Sequence, residues 1–155
     1  HDPFPAGFRF RNVVFLAPAC TFADFHAIVS TPQKDLFENF QMFTMYDRHE
    51  SEDQLVPHVY TRSLLYFISG VLEPDADGNS APDVPVVGME RYYTSDTYGT
   101  PEIVAVRTFV GSAPSTVVWS PTDSGPLRSG ALKHGIFDDD GLTRASLTAI
   151  IEGRS

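Results

Sequence analysis

The run Val13-Val14-Phe15-Leu16 constrains this chain more than any other feature. It is apolar, opens on two β-branched residues and shows no alternation. That is the pattern of a strand covered on both faces, as in a parallel sheet flanked by helices. Pro18 ends the run, and Thr21 stands where a helix N-cap belongs. Phe22, Phe25, Ile28 and Val29 then follow at the spacing of one helical face.

The rest of the chain keeps this alternation. A turn or two of helix is predicted from Pro32 to Glu38, then a strand from Phe40 to Tyr46. The polar, acidic stretch Asp47 to Gln54 reads as a loop at that strand's carboxyl end. Tyr60 to Leu72 carries a broad apolar helical face through Leu64, Leu65, Phe67, Ile68, Val71 and Leu72. Pro74 to Asp83, rich in Pro, Asp, Gly and Asn, offers no apolar anchor and reads as an exposed loop. Pro85 to Tyr93, Glu102 to Val110 and Ser115 to Trp119 are read as strands. Thr143 is expected to cap a final helix whose Leu147, Ile150 and Ile151 face inward. The order predicts one α/β layered domain over residues 1–155, with a mainly parallel sheet. Its neighbouring strands are expected around Val13–Leu16, Gln41–Met45 and Val104–Phe109.

Composition narrows the classes of partner. A formal net charge of −9 gives a phosphate backbone or an anionic membrane nothing to gain, so neither nucleic acid nor membrane is expected. No apolar stretch reaches spanning length. The single cysteine, Cys20, excludes an internal disulfide and points to a reducing compartment, with the cytoplasm as the expectation. The chain opens on His1 rather than Met and is expected to be partial or processed.

The chemistry gathers in two places. Asp47, Glu50, Glu52 and Asp53 follow one strand, and His134 follows a later one. Loops at the carboxyl ends of parallel strands share one edge, so these groups can meet. A carboxylate beside an imidazole fixes its tautomer and stabilises the imidazolium that proton abstraction creates. Five stretches carry a family likeness: Asn12-Val13-Val14-Phe15-Leu16-Ala17-Pro18, Thr44-Met45-Tyr46, Asp53-Gln54-Leu55-Val56-Pro57, Arg62-Ser63-Leu64-Leu65 and Lys133-His134-Gly135. Together they resemble the C-terminal half of α/β-hydrolase-fold proteins, specifically bacterial hydrolase-like members. The resemblance implies an ester or acyl hydrolase with Asp53 as triad acid and His134 as base. Asp47, closer to the strand end, is the second choice for the acid. The family's nucleophile and oxyanion loop lie in an N-terminal half, and no Gly-x-Ser-x-Gly elbow occurs in these 155 residues. The nucleophile is therefore expected outside this chain, on a missing N-terminal segment or a second chain.

Other readings stand beside this one. A non-catalytic binding or assembly module would use Phe40, Met42, Tyr92 and Tyr93 as its surface, or form homo-oligomers through the open edge of the Arg11–Ala17 strand. Cys20, ahead of a helix, is a second candidate nucleophile with His134 as its base, but Ala19 and Thr21 lack the glycines of an elbow. His49 and Asp53 are four apart, and Asp75, Asp77 and Asn79 alternate as in calcium loops. The first stretch lacks the second histidine of a zinc motif, and the second lacks the closing glutamate, so no metal or cofactor is expected.

Overall fold

The computed structural model describes residues 5, 7–30, 36–52, 65 and 84–154. Strand β1 (Phe10–Leu16) leads into helix α1 (Phe22–Val29), and strand β2 (Phe37–Met45) into the short helix α2 (Asp47–Glu52). Helices α3 (Arg91–Thr94) and α4 (Pro101–Val110) precede strand β3 (Ser115–Ser120). A single 3-10 turn (His134–Ile136) and helix α5 (Gly141–Ile151) complete the order. The strands form a three-stranded parallel sheet in the order β1-β2-β3.

Side chains of β2 alternate between two cores. Phe40 and Met42 join Phe22, Phe25 and Val29 of α1 and Ile103, Val106 and Val110 of α4 on one face. Phe43 and Met45 join Val118, Leu127, Phe137 and Ile150 of α5 on the other. The domain is thus a three-layered α/β structure, as the apolar runs imply. Aromatic rings fill the first core: Phe25 and Phe40 stand 5.4 Å apart, and Phe109 lies 5.4 Å from Phe40. The pattern of a strand covered on both faces fits β2 better than β1. Residues Phe40 to Met45 are all buried, while Val13 to Leu16 are half-buried. The reason is position, since β2 has a strand on each side and β1 pairs with β2 alone among the described residues.

Several local expectations are corrected. Glu102 to Val110 is helix α4 and not a strand; the third strand is Ser115–Ser120. Thr100 caps α4 by accepting from the Ile103 N–H at 3.4 Å, and Pro101 supplies a preset first turn. Its buried residues Ile103, Val106 and Val110 follow helical spacing, which overrides the β-branched composition. Pro85 to Tyr93 contributes one antiparallel bridge, Thr21 to Val86, before the α3 turn. The acidic stretch after β2 is the start of α2. Glu38 belongs to β2, and residues 31–35 lie outside the described ones. Thr21 does cap α1, accepting from the Asp24 N–H at 3.0 Å. Helix α5 is capped by Asp140, with Thr143 as the donor rather than the cap. Ile150 faces inward, whereas Ile151 is 77% exposed.

Phe40, Met42 and Tyr92 are core residues at no more than 1% exposure, so they are not a docking surface. The predicted helix over 60–72, apart from a buried helical Leu65, and the predicted loop over 74–83 lie outside the described residues. Among the described residues no helix is long and apolar enough to cross a membrane.

Candidate functional site

The carboxyl ends of β1, β2 and β3 form one edge, and three loops meet there. Ala17, just past the end of β1, holds φ +43, a left-handed value costing a non-glycine residue about 1–2 kcal/mol. Its N–H donates to the Phe43 carbonyl at 2.7 Å, which keeps the turn against β2. The segment from Val86 to Thr94 lies across the same edge. The Val87 N–H donates to the Cys20 carbonyl at 2.9 Å, and the buried Thr44 hydroxyl donates to the Gly88 carbonyl at 2.5 Å. The approach at Gly88 is close enough to require glycine. A Cβ there would stand 2.4 Å from the Pro18 carbonyl oxygen.

That segment engages Asp47 directly. Arg91 Nε donates to Asp47 Oδ2 at 3.0 Å, with the two side chains 22% and 27% exposed. The Asp47 N–H donates to Glu90 Oε2 at 2.9 Å. Asp47 Oδ1 is buried and has no hydrogen-bond partner among the described residues. One oxygen of the carboxylate is therefore fixed by an ion pair, and the other is a buried acceptor with unused capacity.

The loop that carries His134 is held by buried hydroxyls. Ser120, the last residue of β3, donates from Oγ to the Ala131 carbonyl at 2.5 Å. Ser129 Oγ stands 3.0 Å from Ser120 Oγ and 2.8 Å from Thr143 Oγ1. Thr122 and Ser129 form a bridge, with N–H to carbonyl distances of 2.7 and 3.0 Å. Ser146 of α5 accepts from the Arg128 N–H at 2.7 Å and donates to the Arg128 carbonyl at 2.8 Å. Ala131 is thereby tied to the end of β3, and the three further residues to His134 span at most about 11 Å. His134 itself is half-buried and opens the 3-10 turn.

The chain thus leaves β2 and β3 at one edge, with Asp47 directly after β2 and His134 on the longer loop that follows β3. Asp47 takes Arg91 as its ion-pair partner rather than His134. Asp53 lies outside the described residues. Cys20 sits in the β1–α1 turn, where burial pushes its thiol above the ordinary range and the charge of Asp24 adds to this. A helix N-terminus therefore does not activate it. Burial also pushes up the phenol of Tyr93, which donates to the Val87 carbonyl at 2.8 Å and stays protonated. Among the described residues no group of three or more His, Cys, Asp or Glu side chains could hold a metal ion.

Glu90, Arg91 and the Ser120–Ser129–Thr143 hydroxyls escaped the sequence reading. Glu90 and Arg91 sit within a stretch read as strand. The hydroxyls carried one signal, the density of Ser and Thr between residues 120 and 129. No protein-family model, curated protein or solved structure matches this chain.

Proposed function

We propose that this domain supplies the base and the acid of an ester- or acyl-hydrolysing triad on an α/β-hydrolase-like sheet. The nucleophile comes from a segment other than these residues. One observation supports the reading: the acidic segment and the histidine loop leave adjacent parallel strands at the same edge, acid first in the chain. That is the order in which α/β-hydrolases present the last two members of their triad.

In this mechanism His134 takes the proton of an attacking hydroxyl as it adds to the substrate carbonyl. The imidazolium then returns that proton to the leaving alcohol, and a water molecule repeats the cycle on the acyl-enzyme. Asp53 accepts a hydrogen bond from the other ring nitrogen and holds the productive tautomer. The Asp47–Arg91 ion pair keeps the start of the acidic segment in place.

The test is hydrolysis of p-nitrophenyl acetate by the protein that unites this domain with its nucleophile. His134→Ala and Asp53→Asn should each lower kcat by about a thousandfold or more. Asp47→Asn should lower it less than about tenfold, as expected of a residue that positions rather than reacts. The 155-residue chain alone should show background turnover only. Unchanged kcat in His134→Ala would overturn the proposal. Robust fluorophosphonate labelling of the isolated chain would move the nucleophile into it. Loss of activity in Asp47→Asn but not in Asp53→Asn would transfer the acid role to Asp47.

A further inference from the structure

At the amino edge of the sheet, opposite the site above, lies a cavity of about 290 Å³. Asn12, Asn39 and Thr116 line it from the amino-terminal parts of the three strands, and Gln41 from the middle of β2. The register places them on a single face, because Asn12 pairs with Asn39, Gln41 pairs with Thr116, and residues 39 and 41 alternate to the same side. Further along that face Phe43 and Val118 are apolar core under α5. The polar corner is therefore confined to the cavity.

Two of its polar groups lack hydrogen-bond partners among the described residues. Gln41 is 6% exposed, yet its Oε1 has no hydrogen-bond partner among the described residues. Ser115 Oγ, also in the lining, is buried and equally unsatisfied. A buried amide oxygen left without a donor destabilises a fold, so an orphan of this kind calls for an explanation. The two asparagines are already pinned by the backbone. Asn12 Nδ2 donates to the Ile150 carbonyl at 3.3 Å, and Asn39 Nδ2 donates to the Arg11 carbonyl at 3.0 Å. Each is left with its Oδ1 as an acceptor, so the lining is rich in acceptors that want hydroxyl donors.

Among the described residues of the lining the charge has one sign: Arg11 is present and no Asp or Glu is, while the whole chain carries a net charge of −9. The guanidinium lies against Gly153, where a Cβ would stand 2.7 Å from Nη2. The bare backbone at Gly153, with φ +69, leaves room for that group beside the cavity.

We propose that this amino-edge cavity binds a small hydroxylated oxyanion. Its hydroxyls donate to Gln41 and the asparagines, and its anionic group meets Arg11. At about 30 Å³ per water-sized unit the volume admits a solute of about ten heavy atoms, the size of a three-carbon sugar phosphate. The shared chemistry is a carboxylate or a phosphate ester next to hydroxyl groups. The site is independent of the triad reading, since it uses none of its residues and lies at the other end of the strands.

The experiment follows the side-chain amide signals of the 155-residue chain by ¹⁵N NMR. Four probes are titrated: glycerol 3-phosphate, glycerate, inorganic phosphate and glycerol. Saturable shifts of the Gln41, Asn12 and Asn39 amide signals are expected below about 10 mM with glycerol 3-phosphate, glycerate or both. Response to one alone identifies the source of the oxyanion. Inorganic phosphate and glycerol should each bind at least about tenfold more weakly, lacking the hydroxyls or the charge. Arg11→Gln, at an exposed position, should weaken binding by about tenfold or more. Gln41→Leu should abolish binding while raising Tm by roughly 2–5 °C, because it removes an unsatisfied buried group. No saturable shift with any probe overturns the proposal. Glycerol binding as tightly as the charged probes, inorganic phosphate binding as tightly as the hydroxylated ones, or a fall in Tm on Gln41→Leu also overturns it.

Discussion

Replacing Asp140 by Ala tests whether the histidine loop is held as the hydrogen bonds imply. Asp140 Oδ2 accepts from the Thr143 N–H at 2.8 Å, the Thr143 hydroxyl at 2.8 Å and the Gly130 N–H at 2.9 Å. The first bond is the N-cap of α5, and such a cap contributes about 0.5–2 kcal/mol. The third joins α5 to the loop, and a part-buried N–H left without an acceptor costs about 1–3 kcal/mol. Thr143 is fully buried but keeps Ser129 as a partner, so its loss is smaller. Together these give a destabilisation of about 2–4 kcal/mol. In urea this lowers the unfolding midpoint by about 1–2 M. Asp140→Asn retains an amide oxygen for the cap and should cost less than half as much.

The pH dependence sharpens the test. Burial alone would raise the Asp140 carboxyl, but the hydrogen bonds from Gly130, Thr143 and Leu142 outweigh it and hold the group below its ordinary range. Its stabilisation is therefore complete above the unfolded pKa of about 3.9 and is lost as pH falls through the lower folded value. The gap between wild type and Asp140→Ala should be full at neutral pH and shrink in acid toward the gap between Asp140→Asn and Asp140→Ala. A gap under about 0.5 kcal/mol at neutral pH, the range of an ordinary surface substitution, would refute the reasoning. So would a gap that stays constant into acid.

Two further outcomes follow from the packing over the carboxyl edge. Gly88→Ala places a methyl against the Pro18 carbonyl and 2.8 Å from Leu65 Cδ1, and should destabilise by about 1–3 kcal/mol in thermal unfolding; a neutral effect would show that the edge is loosely packed. Cys20 should react with iodoacetamide more slowly than a free thiol at neutral pH, its rate still climbing above the ordinary thiol range, because burial and Asp24 both disfavour the thiolate; alkylation as fast as glutathione would contradict this.

The layered parallel fold was legible because its signals are local and concordant. Val13 to Leu16 and Phe40 to Met45 are continuous apolar runs, and Thr21 caps the helix that follows the first of them. Helix α4 was misread because Val104, Val106 and Val110 favour a strand by composition. What settles the matter is the position of Ile103, Val106 and Val110 on one face, together with the Thr100-Pro101 start. Periodicity and capping outweigh propensity there, since tertiary packing rewards the face that can be buried.

The site was legible only as far as strand order reaches. The chain that leaves one parallel strand toward a carboxylate and the chain that leaves the next toward a histidine both set out from one edge. Which carboxylate oxygen is spoken for does not follow from that rule. Asp47 Oδ2 is taken by Arg91, which is 44 residues away and opens the short helix α3. The amino-edge cavity was hidden for a related reason. Asn12, Asn39, Gln41 and Thr116 look like ordinary polar residues of strands until the register sets them side by side. A polar residue in a sequence has a meaning only once its partners are known, and here the partners come from three strands and a helix. Apolar patterning reports burial from a few neighbours in sequence. Hydrogen-bond satisfaction, which separates the Ser120–Ser129–Thr143 network from the unsatisfied Gln41, is a property of the assembled fold alone.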